Sequence, residues 1–340
     1  MMNKTRNSFA IGILPAIIVL LLSGCAAHKT DWKLVWTEDF NGKTIDESVW
    51  SRIGKGGSDW NDMMSLRPDL AYVEDGQLVL LGKENDHSGT DTTPFVTGGI
   101  WSSHKKSFRL AKFEIRARFN NVQGFWPALW LMPDTAPAAP NYAEIDIMEH
   151  VNFEAKVHQT VHSHYSLHIK DDNKPAHSVS PKILEGEWNT YGAEVHPDSI
   201  CFFVNGKKTM TYPRIAGKEY QFPWPDYPFY IILSNQLGGN WVGAVSEPQQ
   251  LPSELRVDWI KVYENKKIRN RENTCESIRN SFSFCCSPHR ICRLAPVAVD
   301  TDGMANETDR HGVVPSVDGQ FLCGLLHNGT FPRQSSNSVV

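Results

Sequence analysis

Between Lys112 and Phe119 the chain alternates without a break. Phe113, Ile115, Ala117 and Phe119 are apolar, and Glu114, Arg116 and Arg118 between them are charged. Successive side chains of a strand point to opposite faces, so this pattern gives a strand with one dry face and one wet face. The same residues in a helix would scatter apolar groups around the whole surface. The run Ile200 to Val204, the pair Asn205-Gly206 and the run Lys207 to Tyr212 predict a hairpin with a tight two-residue turn. Gly76 to Leu81, Phe229 to Leu233 and Leu255 to Tyr263 read as further strands, and no segment sustains a helical period. Many strands with turn signals between them, from Trp32 to Glu264, predict an all-β fold, a single β-sandwich.

The chain of 340 residues can bury a full core, and its formal net charge of −4 argues against a nucleic-acid partner, which usually needs a basic surface. A monomer is expected. Tryptophan, at 11 residues, is the outlier in composition. Its large ring covers the flat apolar face of a sugar at low entropic cost. One cysteine, Cys201, lies between Ala26 and Asn265, inside an apolar run that suits a buried thiol.

The two ends read differently from the middle. Lys4 and Arg6 precede an apolar run from Phe9 to Leu22, which is short for a membrane span and suits a signal peptide. The run ends in Leu22-Ser23-Gly24-Cys25, which resembles a bacterial lipobox with Cys25 as the lipidated residue. Residues 1–24 are then a lipoprotein signal, 25–31 a short linker and 32–265 the folded domain. The mature protein is expected outside the cytoplasm, periplasmic or at the cell surface, held to a membrane by lipid without spanning it. Residues 266–340 carry five cysteines without zinc spacing and no period of either kind. Two readings stand for them, a disordered tail or a slipped coding frame.

Within the β region, Ala143 to His150 reads AEIDIMEH and carries three acids in seven residues, Glu144, Asp146 and Glu149. In a regular strand Glu144 and Asp146 share a face and Glu149 points the other way. One extra residue, a β-bulge near Ile147-Met148, resets the parity and turns all three acids to one side. Three carboxylates so placed repel, and the usual outcome is that one pKa rises. A raised carboxyl beside an ionised one is the equipment of glycoside hydrolysis, one group as nucleophile and the other as acid and then base. The retaining form needs those two carboxyls about 5–5.5 Å apart. A solvated acidic strand edge is the plain alternative. The flanking segments favour the site: upstream, Trp126 and Trp130 share parity, and downstream His158, His162 and His164 share a face. Aromatics, acids and imidazoles on three successive strands suit the wall of a sugar-binding cleft.

With those residues the chain resembles glycoside hydrolase family 16, the laminarinase, lichenase and agarase group with a concanavalin A-like β-jelly roll. AEIDIMEH matches the bulged form of the family signature, and the likeness extends over Leu34 to Gly42, Lys112 to Arg118, Gly238 to Trp241 and Val257 to Tyr263. The resemblance implies Glu144 as nucleophile, Asp146 as its assistant and Glu149 as acid/base. It also implies cleft-lining roles for Trp126, Trp130, His162 and Trp241, and no cofactor for catalysis. It implies a structural Ca2+ on the convex side, with Asp258 as side-chain ligand. The implied activity is endo-acting, retaining hydrolysis of internal β-linkages in a polysaccharide of the β-1,3- or mixed-linkage glucan type. Ser234-Asn235-Gln236-Leu237 and the His-rich strand after the acids depart from the glucanase pattern where sugar hydroxyls would be read, with Gln236 as a further substrate contact. These departures resemble the branch that cuts galactosides in mucin- or keratan-type glycans, the alternative substrate class.

Two other classes are weighed on the residues. His158-Gln159-Thr160-Val161-His162 has the two-His spacing of a zinc protease but lacks the glutamate after the first His, and its Thr and Val favour a strand over the helix that motif needs. A glycan-binding jelly roll without catalysis is the stronger rival, and such a module has no need of three acids together.

Overall fold

The computed structural model of the protein describes residues 31–267, apart from 57–59, 88, 139 and 170–173. The expected signal peptide, Cys25, most of the 25–31 linker and all but the first two residues of the 266–340 tail lie outside the described residues.

The described chain is β throughout, with only short 3-10 and π turns between its strands. It forms two antiparallel sheets. The first runs in spatial order β15 (Lys207–Pro213), β14 (Ser199–Val204), β13 (Asn189–Val195), β8 (Ala111–Phe119), β17 (Ser253–Asn265), β4 (Gln77–Glu84) and β3 (Ala71–Glu74). On its flank β1 (Trp32–Glu38) pairs with β17 and β5 (Phe95–Thr97) pairs with β4. The second runs β12 (Ser178–Val179), β11 (His158–Ser163), β10 (Ala143–Glu149), β9 (Phe125–Pro133), β16 (Phe229–Leu237), β6 (Gly99–Trp101) and β2 (Ser51–Arg52), with β7 (Ser107–Phe108) beside β16. Among the described residues, eight of the fifteen neighbouring pairs, among them β8 with β17 and β9 with β16, join strands far apart in sequence, which is the long-range pairing of a jelly-roll sandwich.

The alternation read in Lys112 to Phe119 is the burial pattern of β8, with every second residue buried from Ala111 to Phe119. The inner faces of the two sheets supply one core. Phe113, Ile115, Val257 and Ile260 from the first sheet belong to the same buried cluster as Leu129, Leu131, Ile145, Val161, Ile231 and Leu233 from the second. The predicted hairpin forms between β14 and β15, and its turn residues Asn205 and Gly206 both take positive φ, 50° and 74°. That is the two-residue turn whose twist matches the flanking strands. Cys201 is buried, as its apolar run predicts.

One expected strand is shorter than its residues suggested. Val157 to Tyr165 reads as a strand, but β11 ends at Ser163. The Ser166 hydroxyl accepts the Ser163 N–H at 2.9 Å, and the Ser163 hydroxyl accepts the Ser166 N–H at 3.3 Å. This local pair competes with the ladder and turns the chain. His164 therefore leaves the face of His158 and His162 and packs against His168, and edge-on to Tyr220.

Candidate active site

The outward face of the second sheet carries a cleft built on β9, β10 and β16. Its lining includes Trp126, Trp130 and Met132 from β9, Glu144, Asp146 and Glu149 from β10, and Gln236 from β16, with Trp60 and Tyr142 contributed by loops.

The acids reach the cleft through a bulge. Against β11, Asp146 pairs with Thr160 and Glu149 with His158, so three steps on β10 oppose two on its neighbour. Against β9, Asp146 pairs with Trp130 and Met148 with Leu129, which places the extra residue between Asp146 and Met148. Ile147 and Met148 both lie in the core, fully buried. The apolar pair thus fills the sandwich while the parity of Glu149 is reset to that of Glu144 and Asp146.

Each carboxyl has its own surroundings. Glu144 accepts a short hydrogen bond from the Tyr142 hydroxyl, and its backbone carbonyl accepts the Trp224 indole N–H at 3.1 Å. Asp146 is 3% exposed. Burial first, then the neighbouring charge of Glu144 and a hydrogen bond to it, push Asp146 well above the ordinary carboxylate range. Glu149 is likewise pushed well above its ordinary value, by burial and then by the charge of Asp146. The Trp126 indole N–H, which donates to Glu149 Oε1 at 3.0 Å, acts in the opposite direction by favouring the ionised form.

His162 approaches the same centre. One donor atom each from Glu144, Asp146 and His162 lie within 4.8 Å of one another. His162 Nε2 is 3.3 Å from Asp146 Oδ2 but lies off the hydrogen-bonding direction, and that oxygen is left without a hydrogen-bond partner. Among the described residues this is the single group of three side chains with metal-type donors.

Of the other residues expected to contact substrate, Trp126, Trp130 and Gln236 line the cleft, and His162 and Trp241 stand beside it. Trp130 Nε1 donates to the Ser234 hydroxyl at 3.2 Å, and Ser234 Oγ donates in turn to Gln236 Oε1 at 3.4 Å. Gln236 is almost fully buried and forms part of the cleft floor, braced by Ser234 beneath Trp130, whereas Asn235 points the other way and donates to the Leu80 and Ser253 carbonyls at 2.8 and 3.1 Å. Trp241 stands half exposed, edge-on to Trp126 at 5.1 Å and against His158 at 5.0 Å between ring centroids. It extends the aromatic surface beyond Glu149. Asp258 is elsewhere, on the outward side of the first sheet, where it accepts a short ion-paired hydrogen bond from Arg116. A carboxylate already neutralised by a guanidinium does not fit the expected calcium ligand.

Sequence reasoning missed four lining residues, one of them Ala128, which has the parity of Trp126 and Trp130. Tyr142 and Met132 were within its reach, since Tyr142 has the parity of Glu144 and Met132 that of Trp130. Trp60 was not, because it comes from a loop and is held by ring contacts with Trp101 and Trp130 at 6.2 and 6.3 Å.

The model of the glycosyl hydrolases family 16 matches residues 64–261. The chain belongs to that family. Family 16 enzymes cleave glycosidic bonds, and they need no catalytic cofactor. A keratan-sulfate endo-1,4-β-galactosidase of Sphingobacterium multivorum is 34% identical over 248 residues, 72% of this chain and 58% of the galactosidase. This chain thus spans little more than half the length of that relative. A β-glucanase of Rhodothermus marinus is 31% identical over 273 residues, 73% of this chain and 93% of the glucanase. Among solved structures, one from work on endo-acting O-glycanases of human gut microbiota that initiate mucin breakdown matches with a TM-score of 0.58 at 29% identity. The match covers 68% of this chain and 98% of that one. The bulged acid strand, the two indoles of β9 and the Gly238 to Trp241 segment all lie inside the family match.

Proposed function

We propose that this family 16 enzyme is an endo-acting, retaining β-glycanase that works by double displacement. The observation that carries the proposal is the bulge in β10, which brings Glu144, Asp146 and Glu149 into one indole-walled cleft. Glu144 is the nucleophile. Its carboxylate attacks the anomeric carbon while protonated Glu149 gives its proton to the departing glycosidic oxygen. The result is a glycosyl ester on Glu144 and a free sugar hydroxyl. Glu149, now ionised, takes a proton from water, the water oxygen attacks the anomeric carbon, and Glu144 leaves as carboxylate.

The surroundings support this division of labour. Burial and the charge of Asp146 raise Glu149 well above its ordinary value, the direction a general acid requires. Asp146 is hydrogen-bonded to Glu144, and with the Tyr142 hydroxyl it orients the nucleophile and tunes its charge. Trp126, Trp130 and Trp241 offer ring faces and edges to sugars, and His162 and Gln236 offer polar contacts at the floor.

The likeness to the R. marinus β-glucanase supports a β-1,3- or mixed-linkage glucan as substrate. A second reading, endo-β-galactosidase action on keratan- or mucin-type glycans, is favoured by Gln236 at the cleft floor, braced by Ser234, and by the greater identity to the galactosidase. Export as a lipoprotein through Cys25 is part of the same proposal, supported by the basic start and the apolar run before it. The Glu144→Gln variant tests the mechanism. It is expected to abolish hydrolysis of laminarin, mixed-linkage glucan, keratan and mucin O-glycans, whichever of these the wild type cuts. Hydrolysis at the wild-type rate would overturn the assignment.

A further inference from the structure

A second cavity adjoins the cleft on the Glu144 side. Tyr142 lines the catalytic cleft and its chain neighbour Asn141 lines this second space, which is bounded also by Arg214, Lys218, Tyr220, Phe222 and Asp226. The segment that forms it is tied to the nucleophile strand, because Trp224, two residues after Phe222, donates its indole N–H to the Glu144 carbonyl at 3.1 Å.

The cavity is a built feature. After β15 the chain folds into a loop closed by Gln221, whose side chain is fully buried. Gln221 Oε1 accepts the Ile215 N–H at 2.9 Å and Nε2 donates to the Pro213 carbonyl at 2.9 Å. Arg214 is fixed in turn. Its guanidinium lies 5.2 Å over the Phe222 ring, and Nη2 donates to the Phe222 carbonyl at 3.3 Å. Lys218 stands over the Tyr165 ring at 5.4 Å. The lining therefore combines two cations, one carboxylate in Asp226 and an aromatic floor. The whole chain carries a net charge of −4, so a positive balance here is local and is no part of a generally basic surface.

A neutral glucan gains nothing from a stacked arginine beside its path. A planar guanidinium held in place over a buried ring is suited to an oxyanion with two accessible oxygens. We infer that this cavity is a subsite for an anionic substituent, a sulfate ester or a carboxylate, on a sugar lying to the Glu144 side of the cleaved bond. The inference rests on the glycanase reading above and, of its two substrate readings, sides with the keratan- or mucin-type glycans against the neutral glucan. Arg214 is the specificity-determining residue, and Lys218 supplies the second charge.

The test compares kcat/KM of the full-length protein on a sulfated galactan, on the same polymer after desulfation, and on a β-glycan bearing uronate or sialate groups. Wild type, Arg214→Ala, Arg214→Lys and Lys218→Ala are run on each. The wild type is expected to prefer a charged polymer. Arg214→Ala should lower the charged-to-neutral ratio about tenfold, the scale of one lost charge-assisted contact, with the change in KM. Arg214→Lys should recover part of it. Calorimetric binding of sulfated, carboxylated and neutral oligosaccharides to the Glu144→Gln protein tells the two anions apart without turnover, and affinity for the preferred one should fall with added salt. Equal binding of charged and neutral sugars, or a ratio that neither substitution at Arg214 nor the one at Lys218 moves, would overturn the subsite. If no polymer is hydrolysed, the glycanase reading fails while the binding comparison still decides the subsite.

Discussion

Trp126 donates its indole N–H to Glu149 at 3.0 Å, across the pair of strands whose register slips by one residue between Asp146 and Met148. The slip and the hydrogen bond act together: the first turns Glu149 into the cleft, and the second holds one of its oxygens. The same indole that walls the cleft therefore also sets the charge balance of the proposed acid/base.

That coupling gives a pH prediction. The alkaline limb of kcat/KM reports loss of the proton from Glu149. The Trp126 N–H favours the ionised carboxylate, so removing it raises the Glu149 pKa further. Trp126→Phe keeps an aromatic ring and loses the donor. Its kcat/KM is expected to fall roughly tenfold, in line with one lost hydrogen bond to a charged group, and its alkaline limb to move to higher pH. A limb that stays in place or moves down, read from a pH–rate profile, would separate Trp126 from Glu149.

The acids should also weaken the fold at neutral pH. Asp146 and Glu149 are both raised in the folded protein, burial being the largest cause for each. A carboxyl raised on folding gives its full stability below its unfolded pKa, about 4, and loses it as pH rises toward the folded value. Asp146→Asn and Glu149→Gln remove that loss. Each is expected to raise Tm at pH 7 by about 2–4 °C, the shift of one kcal/mol in a domain of this size. The gain should shrink toward pH 4. Scanning calorimetry at the two pH values decides it, and a Tm at pH 7 no higher than wild type would contradict the raised pKa values.

The bulge itself can be removed. Deleting Ile147 leaves Glu144-Ile145-Asp146-Met148-Glu149, a plain alternation that keeps all three acids on one face. The variant loses a buried side chain at a cost of about 2–5 kcal/mol. Provided circular dichroism shows it folded, its hydrolysis is expected to stay well above that of Glu149→Ala. Activity as low as Glu149→Ala in a folded protein would mean that the bulge positions Glu149 in a way alternation cannot.

Much of this architecture is legible in the chain because a period of two is a local signal. The alternation from Phe113 to Phe119 states which face of β8 is buried, and Asn205-Gly206 states where β14 turns back. The acid spacing carries more, since only a bulge brings Glu149 to the side of Glu144 and Asp146. The misses come from tertiary partners. Trp60 reaches the cleft by packing on Trp101 and Trp130, residues from β6 and β9. Asp258 offers a free-looking carboxylate in sequence, yet β17 lies beside β8 with Trp259 opposite Arg116, which brings that guanidinium to it. His164 reads as one more strand position until the Ser163–Ser166 pair bends the chain ahead of it.

In the proposed mechanism Glu144 and Glu149 act as nucleophile and acid/base on one face of the bulged strand. Proton NMR of the first-formed product from a β-linked oligosaccharide tests it most directly. A β-anomer is expected first at the new reducing end, which then mutarotates; an α-anomer appearing first would contradict double displacement.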